Sequence, residues 1–516
     1  MKPFLRWLCL MALVLLSACS PKPLSTPEPT PVPTQRTPTS VPAAPLPAVL
    51  SDWTDRSVFT SGLVSSQQSW LDALPGASVY HISITLDDAY TALTGHEEVQ
   101  YTNRESEPLT EIYFQLFPNM EGGTSTISNL FVDDQAVEPV YESGKASLKV
   151  TLPAALQVNK TTLIRLDFEV TIPTETAGNY GLFAYKDGLL ALDGFAPSIP
   201  VYDEYGWHDG LIPPNADTTF QDASFYVVQV TAPTALKLVA SGVKVDESLN
   251  GDRQTLVFAA GPARDFYLSG SEDYTLLSGS SGETVVNVYT RADQAEGAKV
   301  ALQTAIDAIT SYSERFAPYP YTEFDVVCTP MDGAYGIEYP GITGINQTLF
   351  NSDTSVNGLG AFTILESTTA HETGHQWFYN LVGNDQANEP WLDEAVTQYI
   401  TGLYFLDRYG SSGWLGYEDS WKSRWARVDN EDLLIGLPAG DYQAREYGAI
   451  VYGRGPLFVE ALAQKMGQPT FDAFLSDYVQ QNEWAIGSTS EFKALAETHC
   501  NCDLSDLFSQ WVIKIE

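Results

Sequence analysis

Apolar and polar residues alternate along the first half of the chain. The alternating segments are short, rich in Val, Tyr and Ile, and separated by Gly, Asn and Pro; they cover 80–86, 112–116, 147–152, 225–230 and 255–258. A period of two is typical of strands with one buried face. The pattern predicts an N-terminal antiparallel β-domain, to which we assign residues 56–275.

The apolar period changes after residues 284–289. One more strand pattern occupies 324–328, and helical spacing then predominates. The candidate helices cover 298–316, 361–381, 391–409, 455–466 and 491–498. Apolar residues three and four positions apart share one face of a helix. We therefore predict a mixed, mostly helical domain over 276–516, in a multidomain α+β protein.

The N-terminus has the pattern of an export signal. Lys2 and Arg6 precede an apolar run over 7–16, and Leu16-Ser17-Ala18-Cys19 follows. The run is too short to span a bilayer, which needs about twenty apolar residues. Its end resembles the lipobox of bacterial lipoproteins, which implies that residues 1–18 are removed and that Cys19 is lipidated. The alternative is an ordinary secretory signal with an incidental cysteine.

A Pro/Thr/Ser-rich linker over residues 19–55 follows this signal. Ten of the 27 residues from 21 to 47 are proline, and proline favours extended polyproline geometry. The segment is predicted to hold the body of an exported, membrane-anchored lipoprotein away from the membrane, on the extracytoplasmic side. A disordered tail with no tethering role is the alternative.

Composition and charge narrow the functional classes. Of the 516 residues, 44% are hydrophobic and 12% aromatic, which excludes disorder for most of the chain. There are 27 Lys and Arg against 65 Asp and Glu, giving a formal net charge of −38. So acidic a surface repels phosphate groups, and we therefore expect no nucleic-acid partner.

One motif carries recognisable chemistry. His371-Glu372-Thr373-Gly374-His375 lies within a predicted helix. Histidines four residues apart project from one helix face and can ligate one zinc ion, while Glu372 can act as a general base toward water. Two surface histidines on a helix are the alternative, but chance rarely produces this spacing in a chain with six histidines.

A third zinc ligand is expected, since a catalytic zinc site keeps one position open. Glu394 follows His375 after an 18-residue gap, in Trp391-Leu392-Asp393-Glu394. This arrangement resembles the gluzincin aminopeptidases, the family of aminopeptidase N and leukotriene hydrolase. The resemblance implies one Zn²⁺ per chain, held by His371, His375 and Glu394.

The resemblance extends over nearly the whole body of the chain. The segments 95–103 and 114–119 are similar to the family's N-terminal β-domain, and 508–512 to the end of its thermolysin-like catalytic domain. No residues remain for the C-terminal helical domain that many members carry. We expect a two-domain form of the family.

The resemblance also implies substrate-binding residues. The stretch Gly336-Ile337-Glu338-Tyr339 is similar to a family strand whose Glu binds the α-amine of the substrate. This assigns Gly336 and Glu338 to substrate binding, although Ile337 and Tyr339 replace the family's Met and Asn. A solvated Glu in a Gly-rich segment is the alternative.

A tyrosine that stabilises the developing oxyanion is expected from the same family. Tyr452-Gly453-Arg454-Gly455 fits its context, with Arg in place of Lys, and a preorganised donor of this kind contributes ~10²-fold or more in rate. Nearby Tyr447 is the competing candidate, and Tyr452 is preferred for its glycine context.

The cysteines leave several arrangements open. Besides Cys19, residues 19–516 contain Cys328, Cys500 and Cys502. The last two could pair only in a strained ring, remain free, or bind a second metal with His499.

Taken together, the motifs predict a zinc metallopeptidase that hydrolyses peptide bonds at the N-terminus of peptide substrates. An endopeptidase on the same site is favoured if the altered strand around Glu338 does not hold an amine. A surface-binding lipoprotein without turnover is the alternative from another class, although a structural zinc site has no need of Glu372 as a general base. The sequence does not indicate which oligomeric state the protein adopts.

Overall fold

The computed structural model describes residues 53–513, apart from 177, 214, 218, 357 and 444. The predicted signal peptide, Cys19 and all but the last three residues of the linker lie outside the described residues. Among the described residues, no helix combines the length and the apolar character that crossing a membrane requires.

The region before residue 275 is built from β-strands. Its strands and one short helix are β1 (Val79–Leu86), β2 (Ala92–Thr102), β3 (Leu109–Gln115), β4 (Thr124–Val132), β5 (Gln135–Ala136), β6 (Val140–Glu142), β7 (Ser147–Leu156), β8 (Thr161–Thr171), β9 (Phe183–Lys186), β10 (Leu189–Leu192), β11 (Tyr202–Asp203), β12 (Gly206–Trp207), β13 (Ser224–Pro233), β14 (Lys237–Ala240), β15 (Val243–Asn250), β16 (Arg253–Ala263), β17 (Leu268–Ser271) and α1 (Trp70–Ala73).

An eight-stranded sheet in the order β15-β16-β13-β1-β2-β8-β4-β5 dominates this region. Along β2, exposure alternates residue by residue, as a half-buried strand requires. The prediction of a wholly antiparallel domain is wrong at one position. Strands β1 and β13 pair in parallel, from Val79 opposite Phe225 to Thr85 opposite Thr231. Parallel neighbours cannot be joined by a hairpin, and here the chain between them forms β2 to β12.

Smaller sheets complete the β region. One has the order β14-β17-β10-β9 and another β3-β7-β6. Their apolar faces, with those of the large sheet, supply a core that includes Ile84, Phe114, Leu148, Ile164 and Val228. Alternation along each strand therefore places the apolar positions in a shared interior.

Mixed β-structure and then helices follow. These elements are β18 (Thr275–Ser281), β19 (Thr284–Thr290), β20 (Glu323–Thr329), β21 (Gly336–Tyr339), β22 (Ile342–Asn346), β23 (Ser355–Val356), β24 (Leu359–Gly360), α2 (Ala295–Arg315), α3 (Ala361–Gly374), α4 (Glu394–Tyr409), α5 (Ser411–Trp425), α6 (Glu446–Ala449), α7 (Gly455–Met466), α8 (Gln468–Gln481), α9 (Thr489–Cys500) and α10 (Ser505–Trp511). The first five strands form one sheet in the order β18-β19-β20-β22-β21.

Two predicted helices are shorter than their apolar patterns. The helix predicted over 361–381 ends at Gly374, and it could not have continued to 381, because Tyr379 has a φ of +127°, which no α-helix accommodates. The helix predicted over 391–409 begins at Glu394, because the Asp393 side chain accepts a hydrogen bond from the Glu394 amide at 2.9 Å and caps it. Helix α7 occupies the predicted range, 455–466.

The three cysteines after Cys19 comprise one disulfide pair and one free thiol. Cys500 and Cys502 form a disulfide, while Cys328 is free and buried. The disulfide takes both sulfurs out of the second metal site that the sequence left open. Nε2 of His499 instead lies 3.1 Å from Asp477 Oδ2.

Candidate metal centre and active site

Helices α3 and α4 bring the three predicted metal ligands together. Nε2 of His371 lies 3.1 Å from Oε2 of Glu394 and 3.2 Å from Nε2 of His375. Nε2 of His375 lies 3.6 Å from the same carboxylate oxygen. All three side chains are buried, and their ligand atoms lie within 4.8 Å of one another. Two imidazole nitrogens and one carboxylate oxygen are a donor set that fits zinc and leaves a fourth position for substrate or water.

The local sequence explains this geometry. His371 and His375 are one helical turn apart at the C-terminal end of α3, so their rings point the same way. Glu394 is the first residue of α4, where the Asp393 cap sets its orientation. The four-residue spacing of the histidines therefore sets the direction of two of the three ligands. The capped start of α4 sets the position of the third, Glu394.

Each histidine has a buried partner on its other ring nitrogen, which the sequence did not identify. Nδ1 of His375 lies 3.0 Å from the carbonyl oxygen of Phe378. A carbonyl can only accept, so Nδ1 carries the proton and Nε2 keeps its lone pair for a metal. Nδ1 of His371 lies 3.3 Å from the side-chain amide of Gln398. Burial lowers the pKa of His371 to about 4, and the ring is therefore neutral at pH 7.

Glu372 lies against the strand that carries the predicted substrate-binding residues. It is 5% exposed, and its side chain packs on Gly336 of β21. Burial, together with the neighbouring Glu338 carboxylate, raises the pKa of Glu372 well above its usual value. A carboxyl group with a raised pKa is suited to taking up and releasing a proton near neutral pH.

Glu338 lies next to the metal-ligand cluster. Its Oε1 is 3.9 Å from Nδ1 of His375 and accepts a hydrogen bond from Nε2 of Gln386 at 3.3 Å. The same Gln386 amide donates to Oδ2 of Asp393 at 2.8 Å. Gln386 thus connects Glu338 to the residue that caps α4, although nothing in its local sequence marks it as functional.

Two further carboxyl groups surround this cluster. Burial and the adjacent Glu394 raise the pKa of Asp393 to about 7. Burial and the same Glu394 also raise the pKa of Asp217 well above its usual value. Asp217 belongs to the segment between β12 and β13 of the β region, and the sequence analysis missed it. A concentration of acids, most of them buried, favours binding of a cation, whether a metal ion or an ammonium group.

Glu394 is the acid in this group with a lowered pKa. Burial opposes its ionisation, but the adjacent His371 and His375 imidazoles lower its pKa below the usual value. The Tyr452 hydroxyl donates to its other oxygen, Oε1. An ionised carboxylate is the form that ligates a metal.

Tyr452 lies in a single π-helical turn, Ile450–Arg454, between α6 and α7. Such turns are frequent at functional sites because the extra residue redirects one side chain. The Tyr452 ring centroid is 6.0 Å from that of His371, and the ring of Tyr447 packs edge-on against Tyr452 at 5.7 Å. Of the two candidate tyrosines, Tyr452 is the one whose hydroxyl contacts Glu394.

All the site residues predicted within the described part of the chain lie in this one region. Comparison with known proteins agrees with the architecture around it. Residues 300–511 match the model of the peptidase family M1 domain. This chain carries a peptidase family M1 domain. The resemblance to the gluzincin aminopeptidases, inferred from motifs within this M1 domain and before it, is confirmed.

Relatives with known names cover different parts of the chain. Aminopeptidase M1-B of Oryza sativa subsp. japonica is 23% identical over 296 residues, which are 55% of this chain and 34% of that protein. A leukotriene A-4 hydrolase homolog of Botryotinia fuckeliana is 24% identical over 485 residues, 85% of this chain and 71% of that protein. The chain thus spans about a third of the length of the rice aminopeptidase. The M1 domain, residues 300–511, lies in the second half of the present chain.

A solved structure shares the fold of the β region and the M1 domain together. The M1 zinc metallopeptidase from Deinococcus radiodurans aligns with a TM-score of 0.64 at 21% identity, and the alignment covers 85% of this chain and 94% of that one. The predicted order, a β region followed by a helical region, is therefore confirmed as the two-domain M1 peptidase fold.

Proposed function

We propose that this protein is a zinc-dependent aminopeptidase. The observation that carries the proposal is the position of Glu338, a buried carboxylate 3.9 Å from His375 of the metal-ligand cluster. A carboxylate at that position can bind the α-ammonium group of a peptide, so that the first peptide bond lies at the reactive centre. The solved relatives support it, since a mutant of the Deinococcus radiodurans enzyme is described as bound to a Tyr-Ser-Ala substrate.

The metal ligands in this proposal are His371, His375 and Glu394, with one Zn²⁺ per chain. When bound, zinc would supply Lewis-acid chemistry toward water and the scissile carbonyl. Glu372 would take a proton from the attacking water and transfer it to the departing amine. The Tyr452 hydroxyl, held on Glu394 by a hydrogen bond, would turn toward the charge that develops on the carbonyl oxygen.

Gly336, the first residue of β21, and Glu338, two positions further along the strand, would both bind the substrate. This strand is the last in its sheet: β22 pairs with one of its edges, and no described strand pairs with the other. An extended peptide can align with such an edge through backbone hydrogen bonds. The carboxylate of Glu338 would then select a free N-terminus at the end of that alignment.

The domain assignment belongs to the same proposal. We assign 56–275 to an N-terminal β-domain and 276–516 to a thermolysin-like catalytic domain. The support is the change from the sheets of the β region to the sheet that begins with β18 at Thr275.

Export and lipid anchoring at Cys19 are also proposed, on the strength of the sequence pattern alone. Cells expressing the wild type and Cys19→Ala, grown with radiolabelled palmitate, test this proposal. Label in the membrane fraction that disappears in Cys19→Ala supports anchoring. An unlabelled wild type released into the medium would instead favour an ordinary secretory signal.

The test of the activity is hydrolysis of aminoacyl amides beside N-acetylated peptides with internal cleavable bonds. The purified protein is assayed with and without chelator, and Glu372→Gln is the matched variant. Chelator-sensitive release from free N-termini only, abolished in Glu372→Gln, is the expected result. Cleavage of the blocked peptides would favour an endopeptidase. No turnover by the zinc-loaded protein would favour a binding lipoprotein.

A further inference from the structure

Arg264, in the β region, binds the backbone of the turn at 378–381, which follows α3, the helix that carries His371. The residue is 2% exposed. Its Nε donates to the carbonyl oxygens of Tyr379 and Asn380 at 2.8 and 3.0 Å. Nη2 donates to the carbonyls of Leu381 and Ala485 at 3.2 and 2.6 Å. A planar, forked guanidinium can bind several carbonyls at once, which a lysine ammonium cannot reproduce in this geometry.

The adjacent Asp265 holds the same turn through a side chain. The Tyr379 hydroxyl donates to Oδ2 of Asp265, and the Thr219 hydroxyl donates to the same oxygen at 3.0 Å. Tyr379 is 3% exposed and has a φ of +127°, a conformation that L-residues rarely adopt. Residues in such conformations persist only where the surrounding structure fixes them, and here Arg264 binds the backbone while Asp265 binds the side chain.

This turn contacts a metal ligand directly. The carbonyl oxygen of Phe378 accepts the hydrogen bond from Nδ1 of His375 at 3.0 Å. That carbonyl belongs to the peptide group that joins Phe378 to Tyr379. Since the φ of Tyr379 describes rotation next to this peptide group, fixing Tyr379 also fixes the direction of the Phe378 carbonyl.

The packing around Arg264 leaves little freedom. A side chain on Gly383 would place its Cβ 2.7 Å from Nε of Arg264, too close for any real contact. The Gly383 amide also donates to the carbonyl of Ala485 at 2.9 Å, which Arg264 binds as well. The guanidinium therefore fills a space bounded by backbone on several sides.

We propose that Arg264 and Asp265 are positioning residues for His375: by fixing the turn at 378–381 they aim the Phe378 carbonyl at Nδ1 and hold the imidazole in its metal-binding orientation. The inference rests on the proposed function in one respect, that His375 ligates zinc. According to this inference, residues of the β region affect how tightly zinc binds, a role that the motif residues alone do not indicate. Partners that orient a ligating histidine typically change metal affinity about 10- to 100-fold when removed.

The test measures zinc affinity rather than peptidase activity. Tyr379→Phe removes only the hydroxyl bound by Asp265, and Arg264→Lys keeps the charge but not the fork. Tyr274→Phe is the matched control, because it also removes one buried hydroxyl, which donates to the Cys328 carbonyl at 2.7 Å. Zinc dissociation constants come from competition with a chromophoric chelator, and the melting temperature of each metal-free protein is recorded beside them.

Zinc binding weakened about 10- to 100-fold in Tyr379→Phe and Arg264→Lys, with Tyr274→Phe unchanged, is the expected result. The visible spectrum of the cobalt-substituted protein should shift in the same two variants, since it reports ligand geometry. A lowered melting temperature with wild-type zinc affinity would reduce both residues to a structural role and overturn the proposal. If the wild type binds zinc but hydrolyses no peptide, the proposed function fails while this inference is still tested.

Discussion

The carboxylate of Glu372 occupies the space that a side chain on Gly336 would need. A Cβ at position 336 would lie 2.6 Å from Cδ of Glu372, well inside van der Waals contact. The proposed general base and the proposed substrate strand are thus in direct contact, and the absence of a side chain at 336 makes that contact possible.

Gly336→Ala is therefore expected to displace Glu372 without unfolding the protein, since the end of a flexible side chain can rotate away. We expect kcat to fall about 10²-fold, the scale of a mispositioned general base, with unchanged zinc content. Gly416→Ala, at an exposed helical glycine with open space around it, is the control. Wild-type kcat in Gly336→Ala would show that Glu372 does not need its present position.

Tyr452→Phe separates the two candidate tyrosines. If the Tyr452 hydroxyl stabilises the transition state, kcat should fall about 10²-fold while KM changes little. Tyr447→Phe removes a hydroxyl from the neighbouring ring and should leave kcat within about threefold of the wild type. Steady-state kinetics on one aminoacyl amide suffice. The reverse ranking would transfer the role to Tyr447.

Gln386→Leu tests the amide that connects Glu338 with Asp393. The variant keeps the approximate volume but removes the donor to both carboxylates. A hydrogen bond to a charged group contributes about 1.5–3 kcal/mol, so KM for substrates with a free α-amine should rise at least tenfold. We expect kcat to change less, because Gln386 contacts no residue assigned to bond cleavage.

The control for this variant is Gln464→Leu, an exposed glutamine on α7 that donates to Glu460 at 3.2 Å. It should match the wild type in both constants. A large fall in kcat at unchanged KM in Gln386→Leu would instead place Gln386 in the chemical step.

His81 is expected to make stability depend on pH. Its ring stacks on Trp53 with centroids 3.9 Å apart, and burial lowers its pKa from 6.5 to about 4. Between these values the unfolded chain binds a proton that the folded chain excludes, so stability falls as the pH falls below 6.5. From pH 7 to pH 5 the loss should be about 2 kcal/mol.

Urea unfolding of the wild type and His81→Phe at both pH values measures this contribution. The wild type should lose about 2 kcal/mol more than His81→Phe on acidification, because the variant has no group to protonate there. Equal losses in the two proteins would mean that His81 is protonated in the folded state.

Local sequence patterns were sufficient for much of the molecule. The spacing of His371 and His375 predicts their common helix face, and the apolar period predicts the bounds of α7, because both depend on residues within one or two helical turns. The alternating strands of the β region were predicted for the same reason. Glu394 could be predicted as the third ligand, after an 18-residue gap from His375, only because the whole motif resembles that of a known family.

Long-range contacts decided the rest. The parallel pairing of β1 with β13 and the approach of Asp217 to the acids of the site both involve segments far apart along the chain. Arg264 binds the carbonyl of Tyr379 across 115 positions, and Gln386 reaches Glu338 across 48. A single arginine or glutamine has no periodicity, and its partner is chosen only when packing brings the two segments together.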